Sequence, residues 1–92
     1  MQTAHLAEAF RMNHAVHHGG KSLNNVANLQ VIMAIRNTEF FEVLLPDGAQ
    51  KYGLVEDISV GRDGLLHAST RPGLGYEIDF ALIERKKISV LR

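Results

Sequence analysis

The apolar positions of this chain change period several times, and each change marks an expected element. Over residues 2–12, Leu6, Ala7 and Phe10 fall on one side, while Glu8 and Arg11 fall on the other. This is the spacing of a one-sided helix, with Thr3 placed as its N-cap. Asn13 interrupts it, and 13–18 reads as a short strand ended by Gly19-Gly20. A second helix is predicted over 23–35, with Ser22 as its cap. Its second half, Leu29-Gln30-Val31-Ile32-Met33-Ala34-Ile35, is apolar nearly all round, so burial on more than one side is expected. Arg36-Asn37-Thr38 closes it. Residues 39–45 then read as a second strand with apolar residues on both faces, the habit of parallel sheets.

After Pro46 the pattern shortens. Pro46-Asp47-Gly48 signals a turn, and glycines punctuate brief extended pieces at 57–60 and 65–68. Pro72-Gly73-Leu74-Gly75 reads as a tight loop, Asp79 as the cap of a helix over 80–86, and 88–91 as a last strand. The fold class is therefore α/β: helix, strand, helix, strand over 1–45, then a glycine-rich extended tail over 46–92. A strand–helix–strand unit is parallel and right-handed, but two parallel strands do not make a stable sheet. The unit is incomplete as a stand-alone fold and needs strands from elsewhere. A polar side chain stands near the end of each expected strand, His18 before Gly19-Gly20 and Glu42 after Phe40-Phe41. Barrel enzymes display catalytic groups in this way.

Composition narrows the partners. Ten basic and ten acidic residues give a formal charge of zero, which argues against nucleic acid, because phosphate binding needs clustered excess Lys and Arg. Arg85, Lys86 and Lys87 form the one basic run, at the end of an expected helix, where cations suit the dipole. A hydrophobic fraction of 46% fits a globular chain, and 92 residues leave room for a single core. The chain has no cysteine, hence no disulfide framework or thiolate zinc site. No apolar run is long enough to span a membrane, and the first residues lack the pattern of a signal peptide. A cytoplasmic location is expected.

Several residue groups invite sharper readings. His14, His17 and His18 are close in sequence, but on a strand His14 and His18 share a face and His17 points away. Zinc wants three or four converging ligands, so a metal site is not expected there. Asn24 and Asn25 open the second helix at its positive end, within reach of an anionic substrate, although the ordinary role of such residues is to start a helix. Gly73 and Gly75 lack the following lysine and helix of a phosphate loop. Asp57 and Asp63 do not have the spacing of a calcium loop, and turns account for them.

The order of these features resembles the C-terminal part of an enolase-superfamily enzyme, in the branch of mandelate racemase, muconate lactonizing enzyme and the acid-sugar dehydratases. The residues that carry the likeness are the helix Ala7-Glu8-Ala9-Phe10, the strand ending in His18-Gly19-Gly20, the apolar helix closing at Asn37-Thr38, Phe40-Phe41-Glu42, Asp63-Gly64-Leu65, and Pro72-Gly73-Leu74-Gly75 with Asp79. Arg36 departs from the proline common in relatives. The resemblance implies the last two strand–helix units of a TIM-type barrel, about the last quarter of an enzyme built on a barrel of roughly 250 residues. The tail would pack on the capping domain. By the same likeness His18 is the base that moves the proton alpha to a substrate carboxylate, with His17 the competitor if the match slips by one residue. Glu42 is the acid that hydrogen-bonds the carboxylate. The family's cofactor is Mg2+, whose ligands lie on strands absent from this sequence. The implied substrate is a small hydroxy or sugar acid. The implied partner is the rest of the barrel and cap, or a copy of the chain itself in a homo-oligomer. Alone, the chain would be inactive. The alternative is a free-standing oligomerising or binding protein derived from such a piece.

Overall fold

The computed structural model describes residues 1–17, 23–43, 46, 48 and 51–90. Three helices form among them: α1 over Gln2–Ala9, α2 over Leu23–Ala34 and α3 over Phe80–Lys86. The first is shorter than its apolar pattern suggests, and the cause is local. Arg11 takes a left-handed φ of 57°, the Arg11 N–H donates to Glu8 O at 2.9 Å and the Met12 N–H to Ala7 O at 2.9 Å. These two bonds close the helix in the manner usually supplied by glycine. Thr3 does not cap α1; the helix begins at Gln2 behind Met1, with no side-chain cap. Asp79 caps α3 as expected, accepting from the Leu82 N–H at 2.8 Å, and Arg85 and Lys86 fall in its last turn. The expected cap Ser22 lies outside the described residues.

α2 carries the core. Asn25, Val26, Leu29 and Ile32 are its buried residues, a helical stripe, whereas Met33 on the other side is 56% exposed. Burial is thus one-sided, where the apolar sequence led us to expect more. Val26 and Leu29 meet Leu54 and Ile58 of the tail, with Phe41, Leu66 and Tyr76 packed around them. Gln30 fastens the polar flank of α2 to the Leu74 carbonyl at 3.3 Å.

The tail is held by two short antiparallel pairings. Leu54 bridges Ile78, with bonds from Val55 N–H to Glu77 O and from Asp79 N–H to Gly53 O. Val60 bridges Leu66 across a tight turn, closed by the Gly61 N–H on Leu65 O at 2.8 Å. Asp63 at the tip accepts from the Leu65 N–H at 3.1 Å and meets His67 at 2.7 Å.

The expected strands are where the outcome differs most. Among the described residues, 13–17, 39–43 and 88–90 form no regular strand, and a barrel is not formed. The first two segments nevertheless lie together: the His14 N–H donates to Asn37 O at 2.6 Å, Asn13 Nδ2 to Glu39 Oε1 at 3.2 Å, and His17 meets Glu42. From the His14–Asn37 bond to the His17–Glu42 contact both segments advance in the same direction, so the neighbours run parallel, with the Asn13–Glu39 side-chain bond reaching across them. A strand is defined by a ladder of bonds to its neighbours, and a parallel pair with no further strand beside it makes few of them.

The surface reflects the same shortage. A folded monomer of 10.2 kDa is expected to expose about 5300 Å², whereas this chain exposes 7246 Å². Its radius of gyration is 15.1 Å, against about 12 Å for a compact domain of this length. No described helix is long and apolar enough to cross a membrane.

Candidate functional site

The parallel neighbours 13–17 and 39–43 bring Glu42, which sequence reasoning placed at the end of a strand, to the segment that leads to His18. Between them runs a cleft of about 340 Å³ lined by Ala15, Val16, His17, Phe40, Phe41 and Glu42. At its polar end His17 Nδ1 stands 3.2 Å from Glu42 Oε2. The His17 side chain is 85% exposed and that of Glu42 43% exposed. A side-chain contact this open to solvent contributes under about 1 kcal/mol. His18 lies outside the described residues, as do Gly19 and Gly20. The histidine that the described residues bring to Glu42 is therefore His17, the neighbour of the expected base.

This arrangement offers an imidazole, a group able to accept and return a proton, beside a carboxyl group and an aromatic wall. It lacks enclosure. Proton abstraction from carbon depends on fixed donors acting in a site closed to water, and here one wall is solvent. Asn24 is exposed in the first turn of α2, and no described residue links it to the cleft. Among the described residues no three His, Cys, Asp or Glu side chains converge to hold a metal ion, so these residues do not build a magnesium centre of their own.

Two asparagines at this site carried no sequence signal. Asn13 reaches Glu39, and Asn37, which marked only the end of a helix in the sequence, donates to two carbonyls of the preceding segment. An asparagine just after a helix is ordinary turn chemistry, and nothing local distinguishes one that also binds distant backbone.

A second polar cleft, of about 290 Å³, lies in the tail between Glu56, Ser69, Arg71 and Tyr76. Its cation is internally satisfied. Arg71 pairs with Glu56, donates from Nε to Ser69 Oγ at 3.3 Å and lies 6.0 Å over the Tyr76 ring. Burial raises the Tyr76 hydroxyl above its usual range, partly opposed by the Arg71 charge. The Asp63 carboxyl is held below its usual value, first by the Leu65 N–H and then by His67. The Asp63 shift follows from the turn that it closes.

Residues 1–82 match the family described as enolase C-terminal domain-like, which covers most of the chain. No curated protein matches, and no solved structure matches.

Proposed function

The chain belongs to the enolase C-terminal domain-like family, and from that premise we propose that it is the C-terminal part of a magnesium-dependent enzyme of the mandelate racemase and acid-sugar dehydratase branch. The whole enzyme, working in the cytoplasm, removes the proton alpha to the carboxylate of a small hydroxy or sugar acid. In this reading His18 takes or returns that proton, and Glu42 hydrogen-bonds the substrate carboxylate as charge builds on it. A proton next to a carboxylate is very weakly acidic, so the base acts only where the resulting enolate is stabilised. Magnesium, held by carboxylates outside this sequence, supplies part of that stabilisation in the complete enzyme.

The observation that carries the reading is the parallel apposition of 13–17 and 39–43, with Glu42 and an imidazole-bearing segment on one cleft. With its cleft open to solvent and no metal-binding cluster among the described residues, the isolated chain is expected to be inactive. Losing members of a catalytic unit costs orders of magnitude in rate.

In the complete enzyme, His18→Asn should abolish exchange of the alpha proton with solvent deuterium while the circular dichroism spectrum is kept. Retained exchange would overturn the assignment and move the base to His17 or off this segment.

The second reading, a free-standing protein that assembles with copies of itself, is favoured by the surplus of about 1900 Å² of exposed surface over a monomer of this mass. The two readings separate on the size of the native polypeptide that contains Ser89-Val90-Leu91-Arg92, seen with an antibody to that segment on a denaturing gel. A band several times the 10.2 kDa of this chain supports the enzyme. A band at that mass supports the assembling protein.

A further inference from the structure

Asn37 stands three residues beyond α2 and makes three bonds that no neighbouring residue duplicates. Its side-chain Nδ2 donates to Ala4 O at 3.0 Å, in the first turn of α1, and to Met12 O at 3.0 Å, just past the end of α1. Its own carbonyl accepts the His14 N–H at 2.6 Å. One residue thus joins the start of α1, the exit of α1 and the histidine-bearing segment to the foot of the segment that carries Glu42.

The chemistry calls for asparagine. Two carbonyl oxygens face the amide nitrogen, so both of its hydrogens are used and the reverse orientation would set oxygen against oxygen. The Oδ1 atom is buried and accepts from no described donor, so the amide is held through its nitrogen. Aspartate has the same shape and cannot donate when ionised; serine offers a single donor. The Asn13–Glu39 bond lies on the exposed edge between two side chains and does not fix the backbone.

We infer that Asn37 is a positioning residue, whose clamp on Ala4 and Met12 sets the register at which the histidine-bearing segment meets Glu42. A slip of one residue moves a segment by about 3.3 Å and turns its side chains to the opposite face. The 3.2 Å approach of His17 to Glu42 does not survive such a slip. For its meaning in catalysis the inference rests on the proposed function; its geometry stands apart from it.

The test uses the full chain, isotope-labelled, with Asn37→Asp, Asn37→Ala and Asn37→Ser. In the first two, the amide of His14 should exchange about tenfold faster, the effect of losing one hydrogen bond's worth of free energy. The nuclear Overhauser contact between the His17 ring and the Glu42 side chain should vanish. The amides of Leu29 and Ile32 in α2 and of Leu82 in α3 should keep their rates. Asn37→Ser, with one donor, should recover part of the His14 protection, and it decides the matter if the other two fail to fold. The inference is overturned if Asn37→Asp leaves the His14 rate and the His17–Glu42 contact unchanged. It is equally overturned if exchange quickens evenly along the chain, which marks a general structural role. If His18→Asn spares alpha-proton exchange while the Asn37 variants still separate His17 from Glu42, the proposed function falls and the positioning role stands. The reverse pattern removes the positioning role alone.

Discussion

Gly75 and Gly73 sit in one turn, and replacing each by alanine separates two costs that usually arrive together. Both take left-handed φ angles, 79° and 68°, which cost an L-residue about 1–2 kcal/mol. That penalty is partly offset by the reduced freedom of the unfolded chain, worth about 0.4–1 kcal/mol. Gly73→Ala should therefore lose about 1 kcal/mol, because nothing lies within 4 Å of a Cβ built there. Gly75→Ala carries the same backbone term and a collision besides. Its Cβ would stand 2.6 Å from Ser69 Cβ and 2.9 Å from Ser69 Oγ, where carbon atoms rest at about 3.5–4.0 Å. Ser69 Cβ is bound directly to the backbone, so relief requires the 69–75 turn to open. Overpacking of this kind costs a further 1–3 kcal/mol, for a total of about 2–4 kcal/mol. A chain of 92 residues holds about 5–14 kcal/mol in all. Urea unfolding followed by circular dichroism, at one fixed chain concentration because association shifts apparent stability, reads the difference between the two variants. That difference should exceed about 1 kcal/mol, or about 4–8 °C in melting temperature. A Gly73 variant as unstable as the Gly75 variant would refute the steric account.

Three further outcomes are expected. Arg11→Gly should stabilise the chain by about 0.5–1 kcal/mol in the same urea assay, because the left-handed residue closing α1 is then free of Cβ strain; a loss of stability would show that the arginine side chain matters more than its backbone. The Asp63 carboxyl carbon should titrate below the usual 3.8, since the Leu65 N–H and then His67 favour its ionised form. Such a depressed group adds stability that is present above about pH 3.8 and lost as pH falls through its folded value, so Asp63→Asn should flatten the acid limb of the stability curve. A resonance titrating at or above 3.8 would remove this account. Finally, light scattering should find the isolated chain associated, because Met33, Phe40 and Leu65 line an open apolar cleft and are 56%, 78% and 59% exposed. A compact monomer with a cooperative melt and no binding of a hydrophobic dye would contradict it.

What could be read from the sequence was what neighbouring residues decide. Helices α2 and α3 lie within a residue of their expected ends, and Asp79 caps α3, because periodicity and capping are local. The turn at 72–75 follows equally from its glycines. The end of α1 was misjudged because nothing about Arg11 favours a left-handed φ. Asn37 holds the next carbonyl, that of Met12, from 25 residues away. The one-sided burial of α2 escaped because its sequence is apolar all round, and only the tail's Leu54 and Ile58 choose the buried stripe. Strands depend on neighbours, so 13–17 and 39–43 show the expected side-by-side course without the ladder. The contact of Glu42 with His17 was not foreseen, since the sequence set His18 and Glu42 toward a substrate and not toward each other. The place of His18 was not tested, since it lies outside the described residues.

The junction of Val26 and Leu29 with Leu54 and Ile58 bears on how such a piece is inherited. Neither half owns a core, because each supplies one wall of the same one. A recombination boundary between α2 and the tail would give both descendants a bare apolar face, and a tail borrowed from a distant relative would have to match the α2 stripe residue for residue. The whole stretch from α2 to Tyr76 is therefore expected to travel between genes as one cassette, and substitutions at Leu29 and Leu54 to be accepted together rather than singly.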